Sequence, residues 1–150
     1  MFTVEHIGYI VKDIYNTMEI FKKFFGVKNW DVREMAPPKL YNSTCYGEKV
    51  KHSFRIAYGS INDFIIELLM PLEGNSVYSK FLKEKGEGLH HICITFENEK
   101  ELESTKEDYL NQGGKVIQSG RIKKEKVEVL YYYVEKDAIV LELLLRKKGK

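Results

Sequence analysis

The chain repeats itself, and the repeat limits its folds more than any other feature. "HIGYIV", beginning at His6, returns as "HICITF" beginning at His91, and "FIIELLMP", which carries Glu67, returns as "AIVLELLL", which carries Glu142. Two copies within 150 residues are each too short to bury a sizeable core alone, so the halves are expected to share one. Equivalent strands of two half-size modules must then meet in one architecture.

Each half reads as a strand, a helix and three strands. After the first strand, Ile14, Met18, Phe21 and Phe25 recur at helical spacing, and Gly26 is suited to stop the helix. In the second half Leu102, Thr105 and Tyr109 recur similarly before Gly113 and Gly114. "SFRIAYG" and "FIIELL" read as paired strands around "GSIND", and "KVIQSG", "VEVLYYYV" and "AIVLELLL" as three strands with turn residues between them. The missing strand of the first half must come from "WDVREMAPPKLYNSTCYGEKV", which Pro37 and Pro38 should break into loop. The expected fold is α+β: two tandem βαβββ modules, about 4–72 and 88–146, forming one metal-binding, cleft-shaped curved sheet in a single domain over 1–150. A linker helix over about 75–86 joins them, with Asn75 or Ser76 as N-cap and Gly86 or Gly88 as stop.

Composition excludes several classes of partner. The net charge of +2 balances acids against bases, which argues against nucleic acid, and the basic end "RKKGK" reads as a solvated terminus. No apolar stretch is long enough to span a bilayer, and the N-terminus lacks signal-peptide organisation, so a cytoplasmic protein with no membrane partner is expected. Cys45 and Cys93 are far apart and lack metal-type spacing, so no disulfide framework is expected.

A glutamate inside an apolar strand is costly unless it is paired, bound to a metal or neutralised. The chain does this twice, at Glu67 and Glu142, and places a histidine in the first strand of each repeat. If the halves are related by a pseudo-twofold, His6, Glu67, His91 and Glu142 converge on one point. Two imidazoles and two carboxylates suit a divalent transition metal with water in the remaining positions. Of the paired histidines, His91 stands in register with His6, and strand alternation sends His90 to the opposite face, as a structural residue or one that supports the ligands without binding the metal. His52 has no repeat partner and is expected on an exposed strand or loop. Cys93 reads as a small buried residue, and the run Tyr131, Tyr132, Tyr133 alternates between faces.

These residues resemble the vicinal oxygen chelate superfamily, which includes glyoxalase I, methylmalonyl-CoA epimerase, extradiol dioxygenases and metal-free drug-sequestering proteins. The stretch "IELLMPLEGNSVYSKFLKEKGEGLHHICI", residues 66–94, is similar to the epimerase pattern of an E-L-L-x-P-L strand end, an S-x-x-x-F-L helix and a G-E-G-x-H-H-I strand start. The resemblance implies His6, Glu67, His91 and Glu142 as ligands of a divalent ion (Co, Ni, Zn or Mn), a homodimer, and an isomerase acting on a small-molecule thioester such as methylmalonyl-CoA. A Lewis acid on the thioester oxygen makes the enolate accessible when the adjacent carbon loses its proton. Epimerisation also needs acid/base groups on two faces. Glu142 is one candidate; counting back from Gly59 along "GEKVKHSFRIAYG", Glu48 falls where many epimerases place the second. The final strand and the turn "GSIND" depart from the epimerase pattern, and Lys80, Lys83, Lys85, Arg121, Lys123 and Lys124 are available to the phosphates of a coenzyme A ester. The alternatives are a glyoxalase I-type lactoylglutathione lyase and a non-catalytic small-molecule binder; an extradiol dioxygenase, with two histidines and one carboxylate, fits the quartet less well.

Overall fold

Local signals set the helices of the computed structural model, which describes residues 2–149. Strand β1 (Phe2–Ile10) runs into Asp13, whose carboxylate accepts hydrogen bonds from the N–H groups of Tyr15 and Asn16 and opens α1 (Ile14–Phe25). Gly26, at φ 68°, closes it in the left-handed conformation. The apolar stripe of α1 puts Ile14, Met18 and Phe21 against Ala57, Ile66 and Leu68. Phe25, expected in that stripe, leans on Phe21 in the last turn and stays exposed.

The remaining elements are β2 (Lys28–Met35), β3 (Leu40–Cys45), β4 (Glu48–Lys49), β5 (Phe54–Ile61), β6 (Phe64–Pro71), α2 (Val77–Lys85), β7 (Gly88–Phe96), α3 (Glu99–Asn111), β8 (Lys115–Lys123), β9 (Val127–Lys136) and β10 (Ile139–Lys148). Ser76 caps α2 in a reciprocal pair with Ser79, Gly86 ends it, and Asn98 caps α3. Among the described residues no helix is long and apolar enough to cross a membrane.

Among the described residues ten strands form one sheet in the order β2-β5-β6-β1-β7-β10-β9-β8-β3-β4. Its symmetry is legible in that order. β1 pairs parallel with β6, β7 pairs parallel with β10, and β1 and β7 run antiparallel along the seam between modules. Each module is a βαβββ unit, and the sheet curls around a core that includes Ile10, Phe54, Ile56, Leu69, Tyr78, Tyr131 and Tyr133. Tyr132 points the other way, to Glu103 and Lys106 of α3.

The missing strand of the first half is β2. Beyond the Pro37–Pro38 loop, however, the chain leaves its own module: β3 pairs with β8 of the second module, and β4 pairs only with β3. This excursion covers an edge that would otherwise expose unpaired backbone groups.

Candidate metal centre

The ladder registers build the site in two rows. In one, Glu67 of β6 stands opposite Gly8 of β1, and Gly8 stands opposite His91 of β7. In the other, His6 of β1 stands opposite Cys93 of β7, and Cys93 stands opposite Glu142 of β10. Side chains of directly opposed residues share a face of the sheet. In both rows the middle residue is small, so the flanking side chains lean inward over it. A Cβ on Gly8 would lie 2.1 Å from Cε1 of the His91 ring, so the position must be glycine for that ring to stay where it is.

Four ligating atoms, one from each of His6, Glu67, His91 and Glu142, lie within 4.8 Å of one another, and all four residues are buried. His6 Nε2 is 3.1 Å from a Glu67 oxygen and 3.4 Å from Glu142 Oε1; His91 Nε2 is 3.6 Å from Glu67 Oε1 and 3.7 Å from Glu142 Oε1. Yet His6 Nε2, His91 Nε2 and Glu142 Oε1 make no hydrogen bond. Metal–ligand bonds of about 2.1 Å at angles of about 90–110° place neighbouring donors about 3.0–3.4 Å apart, close to this spacing. Orphaned buried donor atoms aimed at a common centre, with two carboxylates to balance a dication, fit a divalent ion.

The electrostatics agree. Burial opposes charge on the His6 ring, but the Glu67 carboxylate together with Cys93, Glu142 and Glu5 outweighs it and pushes the imidazole far above its ordinary range. Burial likewise opposes charge on Glu67, but His6 and His91 together override it and hold that carboxyl at about 2. Two carboxylates in so dry a place call for positive charge.

Above the quartet lies a cavity of about 30 Å³, room for a water or two. Its walls include Met35, Phe54, Ile56, Tyr58, Val129 and Leu144, with Lys124 and Arg146 as its cations. The structure does not bring Glu48 there. That residue is exposed on β4, at the far edge of the sheet and four strands from β10, because the β3–β4 excursion carries it away. His52, expected in an exposed setting, is 2 % exposed: Phe54 stacks on its ring, Tyr78 packs near it, and neither ring nitrogen has a hydrogen-bond partner.

His90 also departs from expectation. The β1–β7 ladder pairs Gly8 with His91 and then Tyr9 with Leu89, so a bulge extrudes His90 and alternation fails at that point. His90 is buried, with Nδ1 2.9 Å from Nδ1 of His91. Sequence reasoning also passed over Glu5 and Arg146. Glu5 Oε1 lies 3.1 Å from His6 Nδ1, and Arg146 grips the same carboxylate through both terminal nitrogens at 2.6 and 2.8 Å. Burial works against charge on Glu5, but the hydrogen bonds to His6 and Arg146 prevail and hold it at about 2. Gly8 did leave a signal, since "HIG" and "HIC" both carry a small residue two places after the histidine.

A family model described as the glyoxalase/bleomycin resistance protein/dioxygenase superfamily matches residues 5–133. The chain belongs to this superfamily. No curated protein matches it in sequence. Among solved structures it is similar to a hypothetical protein from Bacillus halodurans C-125, with TM-score 0.62 and 22% identity over 99% of this chain and 97% of that one. It is also similar to methylmalonyl-CoA epimerase from Mycobacterium tuberculosis, with TM-score 0.59 and 17% identity over 95% and 86% of the two chains. A mutant 4-hydroxymandelate synthase from Streptomyces coelicolor matches with TM-score 0.63 and 10% identity over 99% of this chain and half of the synthase. At these identities the likeness is one of fold. The superfamily assignment accounts for the paired modules, and the chemistry has to be argued from the quartet.

Proposed function

We propose that this superfamily member is a metal-dependent isomerase that removes and returns the proton next to a thioester carbonyl, with a 2-substituted acyl-CoA such as methylmalonyl-CoA as substrate. The observation that carries the reading is the buried quartet with orphaned Nε2 and carboxylate atoms beneath a cavity. His6 and His91 through Nε2, with Glu67 and Glu142, would hold a divalent ion (Co, Ni, Zn or Mn). Bound there, the ion supplies Lewis-acid polarisation of a carbonyl oxygen, worth several kcal/mol when the adjacent carbon loses its proton.

The chain's own residues do the rest. Met35, Phe54, Ile56, Val129 and Leu144 keep water from the reacting carbon, and the flexible Met35 can yield space to an acyl group. Glu142 is the carboxylate that accepts the proton in this reading. Glu48, exposed on β4 and not among the residues that line the cavity, is not given the second acid/base role. Lys124 takes that role in this reading: it lines the cavity, and burial together with Arg33 and Arg146 holds its ammonium below the usual lysine range. Arg146, held on Glu5, brings to the cavity wall the positive charge that would attract a substrate carboxylate. Exposed Phe2 and Val4 on β1, with Leu89 and Ile92 on β7, support a homodimer through the two central strands.

The same quartet supports a second reading, a glyoxalase I-type lyase that moves a proton next to the carbonyl of a hemithioacetal. The experiment is metal analysis followed by parallel assays with methylmalonyl-CoA and with methylglyoxal plus thiol. Metal-dependent epimerisation supports the first reading. Turnover of the hemithioacetal alone supports the second, and a metal-loaded protein inactive on both overturns the two together.

A further inference from the structure

Strict alternation along a strand puts neighbouring side chains on opposite faces. The β1–β7 ladder breaks that rule twice, each time at the residue just before a quartet histidine. It pairs Val4 with Ile94 and then His6 with Cys93, leaving Glu5 out; at the other end it leaves out His90. Each extruded side chain turns to the histidine that follows it and meets the ring at Nδ1, at 3.1 Å for Glu5 and His6 and 2.9 Å for His90 and His91. The Nε2 atoms of both rings face the carboxylates of Glu67 and Glu142.

The pseudo-twofold has thus placed the same device in both modules with different chemistry. Glu5 is itself fixed by the two-pronged grip of Arg146 from β10. His90 is fixed by packing: its ring meets Phe81 at 5.1 Å, Tyr133 at 5.4 Å and Tyr78 at 6.0 Å, all edge-on.

We infer that Glu5 and His90 are positioning residues, each of which fixes the tautomer and ring orientation of the histidine that follows it so that both Nε2 lone pairs point at one centre. The inference rests on the metal reading above. His6 carries its proton on Nδ1 and donates it to the Glu5 carboxylate. His91 carries its proton on Nδ1 and donates it to Nδ1 of His90, whose own proton is then on Nε2. A carboxylate partner raises the electron density of its imidazole more than a neutral ring does, so His6 is the stronger of the two nitrogen donors.

The test measures the dissociation constant of Zn²⁺ by chelator competition, with tautomers read from imidazole ¹⁵N–¹H correlation spectra of the Zn²⁺-loaded protein. Glu5→Ala and His90→Phe each weaken Zn²⁺ by about 10- to 100-fold at unchanged one-to-one stoichiometry. His90→Phe keeps the ring packing and deletes the acceptor. Glu5→Gln and His90→Asn, which restore an acceptor oxygen, recover part of the loss, a rescue that a packing role would not give. Melting curves identify any variant that fails to fold, and the wild-type spectra test the tautomers independently of all variants. Nδ1-protonated His6 and His91 in those spectra support the inference. Unchanged Zn²⁺ affinity in folded Glu5→Ala and His90→Phe overturns it while leaving the metal reading intact, whereas Nε2-protonated rings in the loaded protein overturn both it and the Nε2 ligation on which it rests. A wild-type protein that takes up no divalent ion overturns the metal reading itself, and the inference with it.

Discussion

Replacing Gly8 with alanine should disable the metal centre without touching any group that bonds to metal. The added Cβ would sit 2.1, 2.4 and 2.7 Å from Cε1, Nε2 and Nδ1 of His91, and ordinary contact begins at about 3.4 Å, so the ring must retreat by about 1.3 Å. His90 and Tyr133 hem in that ring, with Tyr133 4.8 Å from it centre to centre, so the retreat swings Nε2 away from the quartet. A metal bond tolerates about 0.2 Å. Losing one of four donors in this way should weaken divalent-metal binding by about 100-fold or more, about 2.8 kcal/mol. The backbone of Gly8 is not in the left-handed region, so the fold should survive at an overpacking cost of about 1–3 kcal/mol. The assay is chelator competition on wild type, Gly8→Ala, His91→Ala and the double variant, with melting curves alongside. Once His91 is gone, the Gly8→Ala change should cost nothing more, because both substitutions remove the same bond. Wild-type affinity in Gly8→Ala, or losses that add in the double variant, would refute this role for Gly8.

Three further outcomes follow from the same geometry. Because burial holds His52 at about 4 against 6.5 when free, the unfolded chain binds the extra proton first, so the stability due to neutral His52 is complete above about pH 6.5 and lost as pH falls toward 4. His52→Phe should therefore melt higher relative to wild type at pH 5 than at pH 7.5; an equal difference at both pH values would count against the burial argument. Glu48→Gln, at an exposed sheet edge, should leave metal uptake and turnover within roughly twofold in a steady-state assay, and a large loss would put Glu48 back in the mechanism. Lys124→Met should keep the metal and lower turnover by about 100-fold; near wild-type rates would remove Lys124 as a proton carrier.

What could be read from the sequence was what repeats or caps. The duplicated H-I and E-L-L strands announced paired modules, and the cost of burying Glu67 and Glu142 pointed to a polar cluster that the sheet does assemble. Ser76 and Gly26 marked helix ends because capping is a local event. The bulges at Glu5 and His90 were invisible because a bulge is a mismatch between two strands, and neither strand alone carries its signature. The path of β3 and β4 depended on an open edge at β8, far later in the chain, so counting from Gly59 could not reveal that Glu48 lies on an edge strand paired into the second module. His52 looked like a loop residue because the rings that bury it, Phe54 and Tyr78, come together only in the folded state.

The proposed centre holds one divalent ion between four side chains, two from each module. Anomalous X-ray scattering at the cobalt edge, from crystals of the protein grown with Co²⁺, tests this. A single strong peak per chain is expected, about 2.0–2.2 Å from Nε2 of His6, Nε2 of His91 and one carboxylate oxygen each of Glu67 and Glu142. A peak elsewhere, or none at the quartet in crystals that hold Co²⁺, would contradict it.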